Sequence, residues 1–286
     1  MKKAFVILLT GIMMTAAVSC GGGGSNNASS AAPAAEAPAA EAPAEEEQAE
    51  AEVTEEPEEV EMNVPEEPMT YEEFIAAEID SEVVVRGAIQ GKQAYYAQDG
   101  GGTATIYLQD ENGGAYFLYQ LPCTEKEYEQ MEKGKFLKVK GYKAMWPEVD
   151  GEVEVVFEND SVWQFDDGEF IAEAEDVTAL LGTEELVNKM NKFVSFKGMT
   201  VEPIGEDGAA FLYNSEGTGE EGDDLYFNVS VNGATYTFTV ESYLCGPDTD
   251  VYKAVKELKV GDVVDLEGFL YWYEGPNPHI TAVTVK

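Results

Sequence analysis

From Thr70 onward the chain consists of short apolar runs separated by glycines, Asn-Gly pairs and charged clusters, and the same order of runs occurs twice. The first copy runs Val83-Val84-Val85-Arg86-Gly87, Thr105-Ile106-Tyr107-Leu108-Gln109, Gly114-Ala115-Tyr116-Phe117-Leu118-Tyr119, Cys123, then Gly134-Lys135-Phe136-Leu137-Lys138-Val139-Lys140-Gly141-Tyr142. The second runs Val194-Ser195-Phe196-Lys197-Gly198, Leu225-Tyr226-Phe227-Asn228-Val229, Gly233-Ala234-Thr235-Tyr236-Thr237-Phe238, Cys245, then Gly261-Asp262-Val263-Val264-Asp265-Leu266-Glu267-Gly268-Phe269. A repeated order of similar segments marks duplicated units. It predicts two domains of one ancestry, at 70–176 and 177–286. The spacing between matched glycines widens along the chain, so the second copy carries insertions, the largest in the acidic, Gly-rich stretch before Leu225.

Within each copy the pattern predicts strand, strand, strand, short helix, strand, strand. Alternation is clearest over 225–231, where Leu225, Phe227, Val229 and Val231 share one face. Asn112-Gly113 and Asn232-Gly233 are hairpin dipeptides that would join the second strand to the third. Helices are predicted to open at Thr124 and Asp248, with apolar positions three and four apart, and to stop at Gly134 and Gly261. The fourth strands contain a mid-strand glycine, Gly141 or Gly268, and His279 to Val285 supplies a fifth. A further short helix is expected before each first strand, at Tyr71 to Glu78 and Glu184 to Met190.

This order resembles the OB-fold, a five-stranded Greek-key barrel with a helix between strands three and four. The run Leu258-Lys259-Val260-Gly261-Asp262-Val263-Val264-Asp265-Leu266-Glu267-Gly268 is similar to the fourth strand of bacterial OB domains. The expected fold class is therefore mainly β: two tandem OB-like barrels following a disordered tether. Two small β-sandwiches or SH3-like barrels are the alternative. The resemblance also implies where a ligand sits, on the outer face of strands two and three and on the loops joining strands one to two and four to five. Alternation places Tyr107, Gln109, Tyr116 and Leu118 outward in the first copy, with Phe117, Tyr119 and Leu121 inward. In the second copy Tyr226, Asn228, Thr235 and Thr237 face outward; Trp146 of the first copy and Trp272 and Tyr273 of the second fall in loops. The candidate ligand-binding residues are therefore Tyr107, Gln109, Tyr116, Trp146, Tyr226, Asn228, Trp272 and Tyr273. Aromatic side chains of this kind stack on bases or sugars, or anchor peptides. The competing expectation is that they plug the barrel ends or join the two domains.

The chain before the repeats has a different character. Lys2 and Lys3, an apolar run from Ala4 to Met14 and small residues to Ser19 form a secretory signal too short to span a bilayer comfortably. Ala17-Val18-Ser19-Cys20 resembles the processing box of bacterial lipoproteins, which implies a signal peptide at 1–19, lipidation of Cys20 and an extracytoplasmic protein anchored to the cell membrane. Between Gly21 and Met69 stand fourteen Glu among Ala and Pro, with no aromatic residue, Asp, Lys or Arg. Such a segment, 20–69 with its lipidated Cys, cannot build a core and extends by self-repulsion.

Charge narrows the ligand. The chain has 56 Asp and Glu against 17 Lys and Arg, a formal net charge of -39. Without the tether's fourteen Glu and the two signal lysines, 42 acidic and 15 basic residues remain, so the folded part still carries -27. Phosphate backbones need a basic track. Lys138 and Lys140 of the first copy become Asp265 and Glu267 in the second, which weighs against nucleic acid. With a single His, a His-based metal cluster is impossible, and no nucleophile elbow or phosphate loop is present. No cofactor is expected. The acidic stretch Glu206 to Asp224 does not match the EF-hand loop and is a weak candidate for Ca²⁺. Cys123 and Cys245 lie at equivalent places in separate domains, which favours two buried thiols over a disulfide. The sequence thus implies a non-catalytic binding or adaptor module for an envelope protein, peptide or glycan, with single-stranded nucleic-acid binding as the alternative.

Overall fold

The computed structural model describes Val64 and residues 66–98 and 100–286; the signal, Cys20 and nearly all of the tether lie outside the described residues. The first repeat contains α1 (Tyr71–Ala76), β1 (Glu82–Lys92), β2 (Tyr96–Gln98), β3 (Gly101–Gln109), β4 (Ala115–Cys123), α2 (Glu125–Gln130), β5 (Lys135–Trp146), β6 (Glu152–Val156) and β7 (Val162–Glu169). The second contains β8 (Glu175–Asp176), two 3-10 turns (Thr178–Leu180 and Glu184–Lys189), β9 (Phe193–Glu202), β10 (Leu212–Tyr213), β11 (Leu225–Val231), β12 (Ala234–Val240), α3 (Asp250–Glu257), β13 (Val263–Phe269) and β14 (His279–Val285).

Both repeats close into barrels. In the first, the order β1-β3-β4-β6-β5 returns on itself through β1–β5, and β4 runs parallel to β6. In the second, β9-β11-β12-β14-β13 closes through both β9–β11 and β9–β13, with β12 parallel to β14. This is the OB order in each case, with α2 or α3 between the third and fourth barrel strands. Strands β2 and β7 extend the first barrel, and β8 and β10 the second.

Local chemistry sets the element ends. Thr70 and Thr124 each form a capping box, their hydroxyls accepting from Glu73 N–H and Glu127 N–H while those Glu side chains return to the cap N–H. The third helix starts one residue later than the sequence suggests, because Thr249 rather than Asp248 takes the cap position and accepts from Tyr252 N–H. The segment before β9 is a 3-10 turn, not an α-helix. Asn232 and Gly233 both have positive φ, 53° and 83°, the pair required by the tight turn that matches strand twist. The first core gathers Val85, Ile106, Leu118, Leu137 and Val139; the second gathers Phe196, Phe227, Phe238 and Leu266. A Cβ on Gly141 would sit 2.7 Å from Val156 O, and one on Gly268 2.2 Å from His279 O, so the matched glycines let strands four and five approach.

Candidate functional site

Tyr107 does leave the first barrel's core, but it does not reach solvent. Its ring lies parallel to Phe269 of the second barrel, 4.1 Å between centroids and 4° between planes. Its hydroxyl is 3.2 Å from His279 Nδ1. Phe117 packs on Tyr107 at 4.8 Å and edge-on to Tyr271 at 5.6 Å, and Phe193 and Leu244 fill the surround. Tyr271 in turn stacks on His279 at 4.4 Å. The two barrels belong to one compact unit, and this aromatic seam covers the outer face of the first barrel's strands two and three.

Backbone and polar contacts extend the seam. Phe193 N–H donates to Gln109 Oε1 at 3.1 Å, so Gln109 serves the neighbouring barrel. Ala94 N–H donates to Tyr243 O at 2.6 Å and Glu274 N–H to Asp150 O at 3.0 Å. Trp272 is buried, its ring N–H on Asp150 Oδ1 at 3.0 Å and its backbone N–H on Glu152 Oε2 at 2.6 Å. Tyr273 bridges to Gly151 and remains half exposed, as does Trp146 at the end of β5. The loops following the fourth strands of both barrels therefore meet.

Strand β4 has the opposite facing to that expected. Tyr116 and Leu118 lie in the first core, where Tyr116 packs edge-on against Phe74 at 5.1 Å, and Phe117 is the seam residue. Leu121 still points inward because Gln120 adopts a positive φ of 55°, and register also slips between Ala104 and Ile106 of the partner strand. Tyr107 and Tyr116 are both fully buried, which leaves them no surface to offer a ligand.

The second barrel keeps its equivalent face open. Leu225, Phe227 and Val229 point into the core, leaving Tyr226 and Asn228 half-buried outside and Thr235 and Thr237 exposed. Asn228 is held by donation to Pro203 O at 3.0 Å and by accepting from Thr237 Oγ1 at 2.8 Å. Tyr226 borders a cleft of about 450 Å³ whose other walls include Asn214, Asp223, Asp224, Ser242 and Tyr243. Asp224 Oδ1 accepts from both Ser242 N–H and Oγ, at 2.8 and 2.7 Å. No Lys or Arg lines the cleft. Burial, then Asp224 and Glu241, raises the Tyr226 phenol, so it stays a neutral donor and stacking surface.

Other candidates take structural places. His279 is buried and neutral, with desolvation lowering it to about 3. Cys123 and Cys245 are free and buried, each thiol pushed up to about 11 by burial. Among the described residues no group of three or more His, Cys, Asp or Glu is placed to hold a metal, the 206–224 segment included. The seam residues that sequence reasoning missed are Phe193, Phe269, Tyr271, Glu152 and Asn191. One signal was present: an aromatic follows the mid-strand glycine in both copies, Tyr142 and Phe269.

No family model matches the sequence, and no curated protein matches it. Solved structures do. A replication protein A heterotrimer bound to ssDNA is similar at a TM-score of 0.31 and 11% identity, over 72% of this chain and 49% of that one, so the chain spans about half its length. A tetrameric p202 HIN2 is similar at 0.29 and 9% identity, over 73% and 96%. An Ifi202 HINa domain in complex with 20bp dsDNA is similar at 0.32 and 9% identity, over 72% and 98%.

Proposed function

We propose that this chain is a non-catalytic binding protein that presents the β11–β12 face of its second barrel to a protein, peptide or glycan, anchored outside the cytoplasm through a lipid on Cys20. One observation carries the choice of face. The two barrels have the same outward tyrosine on strand two, yet Tyr107 is sealed under Phe269 while Tyr226 borders an open cleft. OB proteins use this face for recognition. Its carboxylates and lack of cations, with a folded-part charge of -27, favour a neutral or basic ligand. The Cys20 processing box and the acidic tether support an anchored, extended presentation.

Single-stranded nucleic acid is the second reading. The barrel architecture supports it, because OB faces commonly take oligonucleotides and Tyr226 offers a ring for base stacking. The cleft's charge opposes phosphates. Titration of the full chain and its Tyr226→Ala variant separates the readings, using basic peptides, a glycan panel and oligo-dT over a salt series. The first reading expects peptide or glycan binding that Tyr226→Ala removes. Oligo-dT binding that weakens steeply with salt and needs Tyr226 would replace it with the second. Binding indifferent to Tyr226→Ala, or none to any probe, would discard the face. Anchoring is tested by globomycin-sensitive processing and acyl labelling at Cys20, and absence of both would remove it.

A further inference from the structure

Helix α1 of the first repeat and the 3-10 turn Glu184–Lys189 of the second flank a cleft made of two adjoining cavities, which share Tyr71 and Glu72. One, of about 560 Å³, is mostly apolar, lined by Phe74, Ile75, Ala115, Val153, Val187 and Met190. Ile75 comes from the α1 wall and Val187 from the other, and these two apolar side chains are 47% and 40% exposed. The second cavity, of about 570 Å³, is polar, and Arg86, Asp110, Gly113 and Lys192 contribute to its walls. The cleft shares no residue with the one at Tyr226. Each half alone is large enough for a drug-sized ligand.

Two of the charged groups in the polar half already have partners. Arg86 donates to Asp166 and to Asp167 O. Asp110 Oδ1 accepts from Asn112 N–H and Gly114 N–H at 2.7 and 2.9 Å, which closes the β3–β4 turn. Lys192 differs: it is half-buried, and among the described residues it has no ion-pair partner. Other half-buried lysines are taken, Lys92 by Tyr128 O, Lys138 by Val64 O and Lys189 by Glu175. The Lys192 ammonium lies at the first repeat's hairpin turn, where a Cβ on Gly113 would sit 3.4 Å from Nζ. Burial and then Lys189 lower its pKa against the pull of Glu175 and Asp110, as befits a cation short of acceptors. Glu72 is exposed on the rim that the two halves share.

We propose that this cleft takes the C-terminal end of a peptide, with the terminal carboxylate on Lys192 and the apolar side chains of the last residues between Ile75 and Val187. Charge complementarity sets the end group. An unpaired ammonium beside an apolar cavity suits an anion carried on an apolar body, and capture of a chain-end carboxylate is a recurring mode of peptide recognition. Glu72 on the rim repels further carboxylates, so the fit is to one terminal charge on neutral residues rather than to an acidic run. The amides favour a peptide over an acyl chain. Asn188 and Asn191 line the apolar half, and Asn191 Oδ1 is buried with no hydrogen-bond partner. Methylenes would offer these amides nothing, whereas a peptide backbone carries both donors and acceptors. The cleft is built from both repeats and is independent of the ligand taken at Tyr226.

Isothermal titration of the full chain tests this with alanine-based tetrapeptides ending in Leu, Ile, Val, Met or Phe, each as the free acid and as the C-terminal amide. At least one acid is expected to bind, and about tenfold or more tighter than its amide, because amidation removes a charge-assisted bond to Lys192. Lys192→Met should bring the acid down to the level of the amide, and Lys192→Arg should keep the preference. Val187→Asp, on the exposed wall, should weaken acid and amide alike. Tyr226→Ala should change neither. No binding by any of the acids, equal affinity of acid and amide, an acid preference that survives Lys192→Met, or loss of binding in Tyr226→Ala would each overturn the proposal. Free leucine or octanoate binding as tightly as the best peptide would overturn the peptide assignment. If Lys192→Met does not fold, the acid-to-amide ratio of the wild type and of Tyr226→Ala decides.

Discussion

Tyr107 and Phe269 stack ring on ring across the two barrels, 4.1 Å between centroids. One residue is on strand two of the first repeat and the other ends strand four of the second. The contact gives duplicated positions different fates: Tyr107 is structural, while its counterpart Tyr226 stays at the surface.

Removing that stack should unlatch the barrels. Phe269→Ala deletes a buried ring that also contacts Phe193 at 5.4 Å, and should cost about 3 kcal/mol. Tyr107→Phe keeps the ring and loses only the contact to His279, so about 1 kcal/mol is expected. Urea unfolding measures both. Equal losses would mean that the hydroxyl, not the stack, holds the seam.

The matched glycines predict a second pair of effects. Gly268→Ala would force a methyl to within 2.2 Å of His279 O, and Gly141→Ala to within 2.7 Å of Val156 O. Neither carbonyl can retreat without breaking a barrel strand pair, so each should cost more than about 2 kcal/mol. Gly198 has open space around it but a φ of +64°, and its Ala variant should lose only about 1 kcal/mol. Thermal melts of the three variants rank them, and Gly198→Ala being the worst would contradict this account.

The barrel order was legible because each barrel strand has a polar or glycine boundary and each repeat confirms the other. The facing of β4 was not. Over Tyr116, Phe117 and Leu118 both faces are buried, one in the barrel core and one in the seam, so alternation carries no inside–outside contrast. The bend at Gln120 turns Leu121 inward although Tyr116 and Leu118 already face the core, a change of face that strict alternation does not reproduce. The seam itself depends on how two barrels dock, which no local pattern encodes. By contrast Tyr226 and Asn228 were legible because their neighbours Phe227 and Val229 are apolar and they are not.

Lys143 offers a test of how α1 is attached. It is buried, with its ammonium donating to Phe74 O, Ile75 O and Ala77 O at 3.0, 2.7 and 2.8 Å. A barrel-strand cation thereby caps the carbonyls at the end of a one-and-a-half-turn helix, where Phe74 O has only a 3.3 Å bond from Ala77 N–H besides. Lys143→Met should strand those carbonyls and cost about 2 kcal/mol, with faster hydrogen exchange over α1 than over β5. Uniform exchange across both would show that the helix is held by Phe74 packing alone.

Stability should peak on the acid side of neutrality, because two limbs of opposite sign meet there. His279 falls from 6.5 to about 3 on folding, through desolvation. A depressed histidine contributes its full stability above its unfolded value and loses it as pH falls toward the folded one, roughly 2 kcal/mol by pH 5. Glu241 rises from 4.5 to about 7, through burial and then Asp224, although Tyr243 and Leu244 N–H groups donate to it. A raised carboxyl is most stabilising below its unfolded value and loses that contribution as pH rises through about 7, a change on the order of 3 kcal/mol. Glu154 adds a limb of the same sign. Denaturant midpoints from pH 4 to pH 9 should therefore decline on both sides of a maximum below pH 7. His279→Gln should flatten the acid limb only and Glu241→Gln part of the alkaline limb only, whatever each variant costs at the maximum. A variant that flattens the opposite limb would reverse the assignment of these two buried groups.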